Sequence, residues 1–570
     1  MSTIDTRPKQ TMSRSRNDFD MSQRVLFTSS VGQCLPVYYD LLSPNDKVQI
    51  DSALLTRTQT LKSNPMTRVQ EHIDYFFVPY KRVFTNFNQW YTMMMHDVHS
   101  VLLNDTQLKK VIPSLNLAQL VREVPQPDAS MSRQEINDLN YSDEFGVLKM
   151  HNAQRLLDLL NFGHWSFQRF QNGGDNIKIN PALICAYHAI NHDFYRLTDR
   201  TNPDVELANM DNYNVAPPRG DRFLSIYYRP WRRDFYTNLE VSPLFGGYNE
   251  FNFNENLPEK FLSPNQAYLY NQSGQYLSPG SDIPMTTAGA YGEGTNNGNT
   301  LDALRRAAAL ERLSQLQRFN EKFWNYQMSA LFGLEVPDNY DHVVYLGSHH
   351  SNIQFSDVVA SATTDQSVLG EIAGKGLNIP KGSKTIEYTT KQHGFIMGIY
   401  SATPIADYLA TGIDRINTYH TLNDFYQSAY DNLGMQPKYY YENNFDVNTA
   451  TNNTILGWTY RWQELKEKPD VVHGAFVSSL RHWVTSRNSQ VFGTDYKNFV
   501  ISPKFLDSIM LAVFGLNPTP QSDMDDEDFK REYINSAFGR DPLLHELYFK
   551  STKYSNMSKF SLPSHNSVML

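Results

Sequence analysis

Cysteine is the scarcest informative residue in this chain, with only Cys34 and Cys185 among 570 residues. Two cysteines cannot build the framework of several disulfide bonds that holds small secreted domains together. Such scarcity is typical of proteins that fold in reducing surroundings. The sequence therefore excludes a disulfide-rich extracellular scaffold.

Long hydrophobic runs are also missing. The apolar run SIMLAVFGL at residues 508–516 is far too short to span a bilayer, which takes about 20 residues. No secretion signal is recognisable at the N-terminus. We therefore expect no membrane partner.

Neither sign of charge dominates the chain. The 51 Lys and Arg residues nearly balance the 60 Asp and Glu residues, which gives a net charge of −9. Bulk charge therefore does not predict a polyanionic partner. The polar segment 1–24 differs locally, because it carries the basic residues Arg7, Lys9, Arg14 and Arg16. It is either a solvated tail or a flexible basic arm that lies on phosphates.

Motifs of nucleotide and metal sites are incomplete. GEIAGKG at residues 370–376 has one residue too few for a phosphate loop, and Gly376 replaces the Ser or Thr that binds magnesium. His349 and His350 are adjacent in a predicted strand, so they should point to opposite faces and not share a metal. The acidic run at residues 523–528 lacks the glycine and spacing of a calcium loop, which favours a solvated charge run.

A second candidate metal group lies on one face of a predicted helix. Cys185, His188 and His192 share that face, but no fourth ligand lies within sequence reach. We interpret the three as helix-packing residues. No pair of nucleophile and base can be singled out either, so the sequence predicts no catalytic residues, no metal and no cofactor.

Aromatic residues, in contrast, are abundant. They make up 13% of the chain, with 34 Tyr and 33 Phe. Hydrophobic residues as a whole reach 40%, which is ample for a core and leaves wide polar loops. In a loop-rich chain, such a density of aromatics indicates extensive contact surface as well as core.

The stretch RVQEHIDYFFVPYKRVFTNFNQW at residues 68–90 predicts the central strand of the fold. Val69, Glu71, Ile73 and Tyr75 alternate with polar residues, which is the period of a pleated strand. A continuous apolar run then follows up to Pro79, as in a strand covered on both faces. Two more strands, at residues 37–42 and 48–58, precede it around the turn Ser-Pro-Asn-Asp. Three strands without a helix between them favour antiparallel pairing in a β-sandwich.

Other segments alternate between helical and strand periods. Helices are predicted at residues 151–162, 182–198 and 301–332, and strands at residues 384–403, 453–462 and, with a weaker pattern, 541–555. Residues 241–300 are rich in Asn, Gly, Ser, Pro and Tyr and show neither period. Because disordered linkers usually lack aromatics, we expect an ordered, exposed elaboration there.

Five segments together resemble the major capsid protein of the microviruses, the small icosahedral single-stranded-DNA bacteriophages, in the gokushovirus-like group. They occur in a consistent order over most of the chain: LPVYYDLLSPNDKVQIDSALLTR (35–57), HIDYFFVPYKRVFTNFNQW (72–90), HGFIMGIYSA (393–402), DFYQSAYDNLGMQP (424–437) and GWTYRWQELKEKPDVVHGAF (457–476). The Pro-rich closing pattern of the family is matched only loosely, by SKFSLPSHN at residues 558–566.

The resemblance implies a mainly β fold, an eight-stranded antiparallel jelly-roll sandwich with long, partly helical insertions. The expected organisation is a flexible arm (1–24), core strands (25–82 and 384–570, with further strands between), a helical insertion (83–240) and a surface insertion (241–383) with the long helix 301–332.

The implied function is structural. The chain would assemble with itself into an icosahedral T=1 shell around circular single-stranded DNA, in the virion, after assembly in the host cytoplasm. Arg7, Lys9, Arg14 and Arg16 are the DNA-facing candidates. A small basic DNA-binding phage protein, a pilot protein and a host surface receptor are the further partners that the resemblance implies.

A protein of another class remains as the alternative. A β-sandwich that binds or cleaves glycans would also combine strands with aromatic surface, and carboxylates distant in sequence can converge in its cleft. A monomer with a cleft lined by carboxylates would favour this enzyme or lectin, and a closed shell would exclude it.

Overall fold

The computed structural model describes most of the regular elements of the chain. The described residues are 16–58, 66–92, 112–126, 140–143, 147–172, 176–196, 205–241, 269–270, 276–277, 309, 312–313, 324–333, 342–359, 372–378, 384–409, 412–428, 431, 434–443, 455–480, 483–484, 486–487, 499–501, 541–557 and 559.

The described strands are numbered in chain order. They are β1 Asn17–Asp20, β2 Gln23–Ser29, β3 Leu35–Leu42, β4 Lys47–Thr58, β5 Arg68–Pro79, β6 Leu115–Asn116, β7 Lys178–Ile179, β8 Leu269–Tyr270, β9 Tyr276–Leu277, β10 Val344–Val359, β11 Ile372–Asn378, β12 Ile386–Thr389, β13 Gly394–Ile405, β14 Asp407–Leu409, β15 Met435–Tyr439, β16 Ile455–Tyr460, β17 Val471–Val472, β18 Ser486–Arg487 and β19 Leu543–Ser555.

The described α-helices are short. They are α1 Tyr80–Val83, α2 Phe87–Tyr91, α3 Leu117–Arg122, α4 Lys149–Leu159, α5 Phe167–Gln171, α6 Ala182–Ile190, α7 Gly220–Phe223, α8 Trp324–Phe332 and α9 Gln463–Lys466. A π-helical turn, Asn191–Tyr195, continues α6. None of the helices in the described part of the chain has the length and apolar character needed to cross a membrane.

Ten strands form one curled antiparallel sheet, so the fold is mainly β, as predicted. The order is β1-β19-β4-β11-β10-β5-β13-β3, with β12 also on β4 and β2 also on β19. The long strand β10 joins the two halves, because its first part pairs with β5 and its last part, from Gln354, pairs with β11. One half is therefore β3-β13-β5-β10, and the other is β2-β19-β4 with β11 and β12.

The two halves face each other across a shared core. The Tyr38 hydroxyl of β3 lies 2.9 Å from the Ser551 hydroxyl of β19. The rings of Phe27 in β2 and Tyr400 in β13 pack edge to face, with centroids 5.1 Å apart. This packing is compatible with the predicted β-sandwich.

Strand β5 is central, as its sequence predicts. It pairs with β13 along its whole length and with β10 from Val69 to Phe77. Phe77 points into the core, where its ring lies 4.9 Å from that of Tyr388, while Phe76 points outward to Phe194 at the same distance. Both faces are thus covered. At its end, Gly394 approaches so closely that a Cβ there would lie 2.5 Å from the Phe77 ring.

The segment predicted as a helical insertion covers the outer face of the first half. Helix α6 packs on β5 and β13, and α4 packs on β3. Helix α4 overlaps the predicted segment 151–162 and begins two residues before it, and α6 falls within the predicted segment 182–198. The apolar residues of the helices and of the sheet form one continuous buried core.

The start of the chain differs from the expectation of a flexible arm up to residue 24. Residues Asn17–Asp20 pair with the end of β19, and Gln23–Ser29 pair with its beginning. The polar composition of this segment did not predict strands, because backbone ladder hydrogen bonds to β19 rather than a run of apolar residues hold it in the sheet. Residues 1–15 of the predicted arm lie outside the described residues.

Other predictions have mixed outcomes. The predicted strand 541–555 is β19, and residues 384–403 contain β12 and most of β13. The predicted strand 453–462 is β16, but it pairs with β15 outside the main sheet. Strands β10 and β11 of the main sheet come from within residues 241–383. Of the predicted helix 301–332 the structure describes mainly Trp324–Phe332, and of residues 242–300 it describes only the hairpin β8–β9.

Candidate functional site

Arg16, one of the four predicted DNA-facing residues, lies beside the turn between β3 and β4. Arg16, the first described residue, donates a hydrogen bond to the Asn45 carbonyl at 2.6 Å and another to its side-chain oxygen. Asn45 lies in the turn between β3 and β4, where its positive φ of 72° suits an asparagine. Arg7, Lys9 and Arg14 lie outside the described residues. The first described residue is therefore held beside the turn between β3 and β4.

The turn that holds Arg16 is itself fixed by several polar contacts. Asp46 accepts a hydrogen bond from the Ser43 amide at 2.9 Å, and the Asn45 amide donates to the Thr390 carbonyl at 2.8 Å. Lys553 of β19 binds the Asp40 carboxylate at 3.1 Å. Burial raises the pKa of Asp40, and the nearby ammonium group opposes that shift. The turn that binds Arg16 is thus connected to strands β3 and β19 and to Thr390.

A buried polar cluster lies between the two halves of the sheet. The Glu71 carboxylate accepts hydrogen bonds from Thr56 at 2.6 Å, Tyr400 at 2.7 Å and Asn378 at 2.7 Å. His545 lies 3.6 Å from the same carboxylate. These residues come from β5, β4, β13, β11 and β19, so one cluster connects strands from both ends of the chain.

The environment of this cluster disfavours charge. Burial raises the pKa of Glu71, although its three hydrogen bonds oppose the shift. Burial also lowers the pKa of His545 to about 3, so its imidazole is neutral at physiological pH. Its two ring nitrogens lie 2.7 Å from the Ser29 hydroxyl and 2.9 Å from the Thr56 hydroxyl. The satisfied, uncharged imidazole therefore acts as a structural connector.

Two buried ion pairs attach the helical insertion to the sheet. Arg229 binds Asp74 of β5 at 2.7 Å, and Asp74 also accepts a hydrogen bond from Tyr195 at 2.7 Å. Arg155 of α4 binds both carboxylate oxygens of Asp541 at 2.9 Å, just before β19 begins. These two ion pairs connect residues 155 and 229 to the curled sheet.

The nucleotide and histidine motifs have structural roles. GEIAGKG contributes most of its residues to β11, which pairs with β10 and β4 and forms no phosphate loop. His349 points into the core, with its ring nitrogens near the Ser52 hydroxyl (2.5 Å) and the Lys384 carbonyl (2.8 Å), whereas His350 faces His72 on the outside. The two histidines thus lie on opposite faces, as predicted. The acidic run 523–528 lies outside the described residues.

The three residues on helix α6 and its π-helical continuation have separate partners, as their interpretation as packing residues requires. His188 contacts the Tyr227 hydroxyl at 2.7 Å and the Phe223 carbonyl at 2.9 Å, and burial lowers its pKa to about 4. His192 contacts Asp193 at 2.7 Å. Cys185 is fully buried, which raises the pKa of its thiol. Within the described ranges, no group of three or more His, Cys, Asp or Glu residues has the geometry of a metal site.

The sequence alone does not predict the Glu71 cluster or the two ion pairs. The sequence does indicate that Glu71 is unusual, because this carboxylate lies on the same buried face of β5 as Val69 and Ile73. A charged residue on an otherwise apolar face needs buried partners. Those partners come from strands distant in the chain, so the sequence pattern of β5 does not identify them.

Comparison with known proteins finds a family match and a similar curated protein. The family described as "Capsid protein (F protein)" matches residues 9–138 and 176–525, which is most of the chain. The relative is "Capsid protein VP1" of Chlamydia phage 1, which is 27% identical over 225 residues. That alignment covers 36% of this chain and 37% of the relative, so the chain spans well under half the length of this relative.

The family match extends over the strands of the curled sheet except β19, and over most of residues 83–240. Membership implies a structural role rather than an enzymatic one. Family membership also agrees with the structural roles of the GEIAGKG segment and of His349 in the sheet. The chain belongs to the capsid protein (F protein) family of the microviruses.

Proposed function

We propose that this chain is the subunit of an icosahedral T=1 shell that encloses a circular single-stranded DNA genome. The observation that carries the proposal is the strand order, which joins the first described strands, β1 and β2, to the last, β19. Shell proteins built on jelly rolls pair N-terminal with C-terminal strands in this way. The family membership supports the same conclusion.

The jelly roll accounts for the two halves of the sheet. One half has the order β2-β19-β4-β12, and the other has the order β3-β13-β5-β10. Successive strands of the chain therefore alternate between the halves from β2 to β5, which is the winding of a jelly roll. Strand β11 shares the place of β12 beside β4, so we count β11 and β12 as one interrupted strand of an eight-stranded fold.

The basic arm is proposed to contact the packaged DNA. Arg7, Lys9 and Arg14 continue from Arg16, whose side chain is anchored at the end of the sandwich. A polar arm with cations can follow an irregular phosphate path without reading bases. A small basic DNA-binding protein of the phage would neutralise the rest of the genome, and a pilot protein would complete the particle. Assembly in the host cytoplasm is part of the same proposal.

The surface insertion is proposed to face outward and to contact a receptor on the host cell. Residues 241–300 combine Tyr with Asn, Ser and Gly, a composition that suits recognition surfaces. The competing hypothesis is a spacer without recognition.

Light scattering of the purified chain tests the proposed function. We expect megadalton particles of uniform size under assembly conditions, with phage companion proteins present. A stable monomer of 65.7 kDa under the same conditions would contradict the proposal and would favour the glycan-binding or glycan-cleaving alternative.

A further inference from the structure

A loop and the helix that Trp462 connects to it expose four large apolar side chains: the ring of Tyr426 packs on Trp462, which directly precedes α9. Leu422 is 71% exposed, and Phe425 and Tyr426 are each 55% exposed. Leu465 of α9, the helix to which this loop is attached, is 52% exposed. We call these four residues the loop patch. Single exposed apolar residues are ordinary, but a group of this kind marks an interaction surface.

Hydrogen bonds hold the loop in one conformation. The Asp424 carboxylate accepts hydrogen bonds from the amides of His420 and Thr421, at 2.9 and 2.7 Å. The Trp462 indole donates to the Asp424 carbonyl at 3.0 Å. The Tyr419 hydroxyl donates to Glu464 at 2.5 Å. The apolar side chains are therefore displayed by a fixed backbone, which lowers the entropy cost of binding.

The support beneath the loop reaches into the body of the protein. Arg415 donates to the Pro437 carbonyl at 2.7 Å and lies 3.3 Å from Glu442. Lys438 of β15 is buried, with its ammonium group 3.5 Å from the centre of the Phe235 ring. A partner bound at the loop patch would thus be coupled to a rigid element rather than to a mobile tip.

The size of the patch suits one side of a protein interface. At these exposures each side chain presents about 100 Å² of apolar surface, or roughly 400 Å² in all. One partner in a standard interface contributes about 800 Å². The patch would therefore supply about half of such a face, and the polar residues around it the remainder.

The charges near the patch favour a partner that carries both signs. Lys466 lies 3.9 Å from Asp431, and Lys468 lies 3.8 Å from Asp414, all of them solvent-exposed. These loose surface pairs contribute little within one subunit and can re-pair across a contact. A nucleic acid would match only the cations. A second copy of this chain offers apolar area and both signs of charge.

We propose that the loop patch is a contact between two copies of this chain in the assembled shell. The inference rests on the proposed function, because it requires that the chain assembles with itself. Beyond self-assembly, the inference specifies which surface forms the contact. Its apolar residues are Leu422, Phe425, Tyr426 and Leu465, and the two Lys–Asp pairs form its polar rim.

Thiol labelling tests the contact without disturbing the fold. Both native cysteines are buried, so Phe425→Cys adds an accessible thiol to the chain. We expect maleimide to label this variant in unassembled subunits and to label it about tenfold more slowly in shells. Val215→Cys, at a position that is 81% exposed and outside the patch, is the matched control for general accessibility.

The outcomes separate this inference from the proposed function. Equal labelling of Phe425→Cys in shells and in free subunits would overturn the inference alone, because the shells themselves exist. Protection already in free subunits would overturn it too, since another segment of the same chain would then cover the patch. A parent chain that forms no shells would refute the proposed function.

A charged substitution provides the second test. Leu422→Asp should leave the melting temperature of free subunits unchanged, since the side chain is mostly exposed, and should raise the concentration needed for assembly about tenfold or more. Val215→Asp should assemble as the parent does. Assembly of Leu422→Asp at the parent's concentration would overturn the inference.

Discussion

The Arg155–Asp541 pair gives the sharpest prediction about how the helical insertion is held. Both side chains are nearly inaccessible to solvent, with 6% and 7% exposure, and the guanidinium binds both carboxylate oxygens at 2.9 Å. Arg155→Met keeps much of the apolar stem but leaves the carboxylate buried without its cation. Breaking such a pair costs about 3–5 kcal/mol. We expect that loss in the free energy of unfolding.

Denaturation of unassembled subunits in urea, followed by circular dichroism, measures the loss. Arg68→Met is the matched control, because Arg68 also binds two carboxylates, Asp407 and Asp470, but is 51% exposed. Its loss should be about 0–1 kcal/mol. The double variant Arg155→Met with Asp541→Leu should regain most of the stability. Equal losses of unfolding free energy for Arg155→Met and Arg68→Met would show that burial does not strengthen the Arg155–Asp541 pair.

Four further predictions concern the core, its pH dependence, the arm and the insertion. Phe77→Asp should abolish soluble subunits, because an unpaired buried charge costs several kcal/mol, whereas Tyr91→Asp at a 61% exposed site should fold normally in a solubility assay. Folding lowers the pKa of His545 from 6.5 to about 3, so the free energy of unfolding decreases as the pH falls through that interval. In urea titrations, His545→Gln should therefore lose less stability than the parent between pH 7 and pH 4. Changing the four basic residues of the arm to Gln should lower the DNA content per particle and the salt dependence of genome retention; full packaging with unchanged salt dependence would show a solvated tail. Deleting residues 271–299 should spare assembly and reduce adsorption to host cells, and unchanged adsorption would favour the spacer.

Local periodicity predicted β3, β4, β5, β13 and β19, because a strand with one or two buried faces shows that burial in its own residues, but it did not predict β10 and β11. The run at the end of β5 is buried on both faces, with Phe77 against Tyr388 and Phe76 against Phe194. Residues 182–190 are helical for the same kind of reason, since their apolar residues recur at helical steps. Three of the segments that resemble capsid proteins, 35–57, 72–90 and 393–402, contain residues of β3, β4, β5 and β13.

The parts that sequence could not predict depend on partners distant in the chain. Strand β1, with the sequence NDFD, has no apolar period and is a strand because β19 offers it an edge. The pattern of β16 predicts a strand but not that β15, rather than the main sheet, pairs with it. The neutral imidazole of His545 depends on burial among residues from four other strands. Such properties arise only when the chain is folded.

Cryo-electron microscopy of purified particles tests whether this chain forms the shell. We expect closed icosahedral shells with one copy of this chain per asymmetric unit, each copy folded as a two-sided β-sandwich with β5 at the centre of one side. Particles whose shell consists of another protein, or a chain that stays monomeric with its phage companion proteins present, would contradict it.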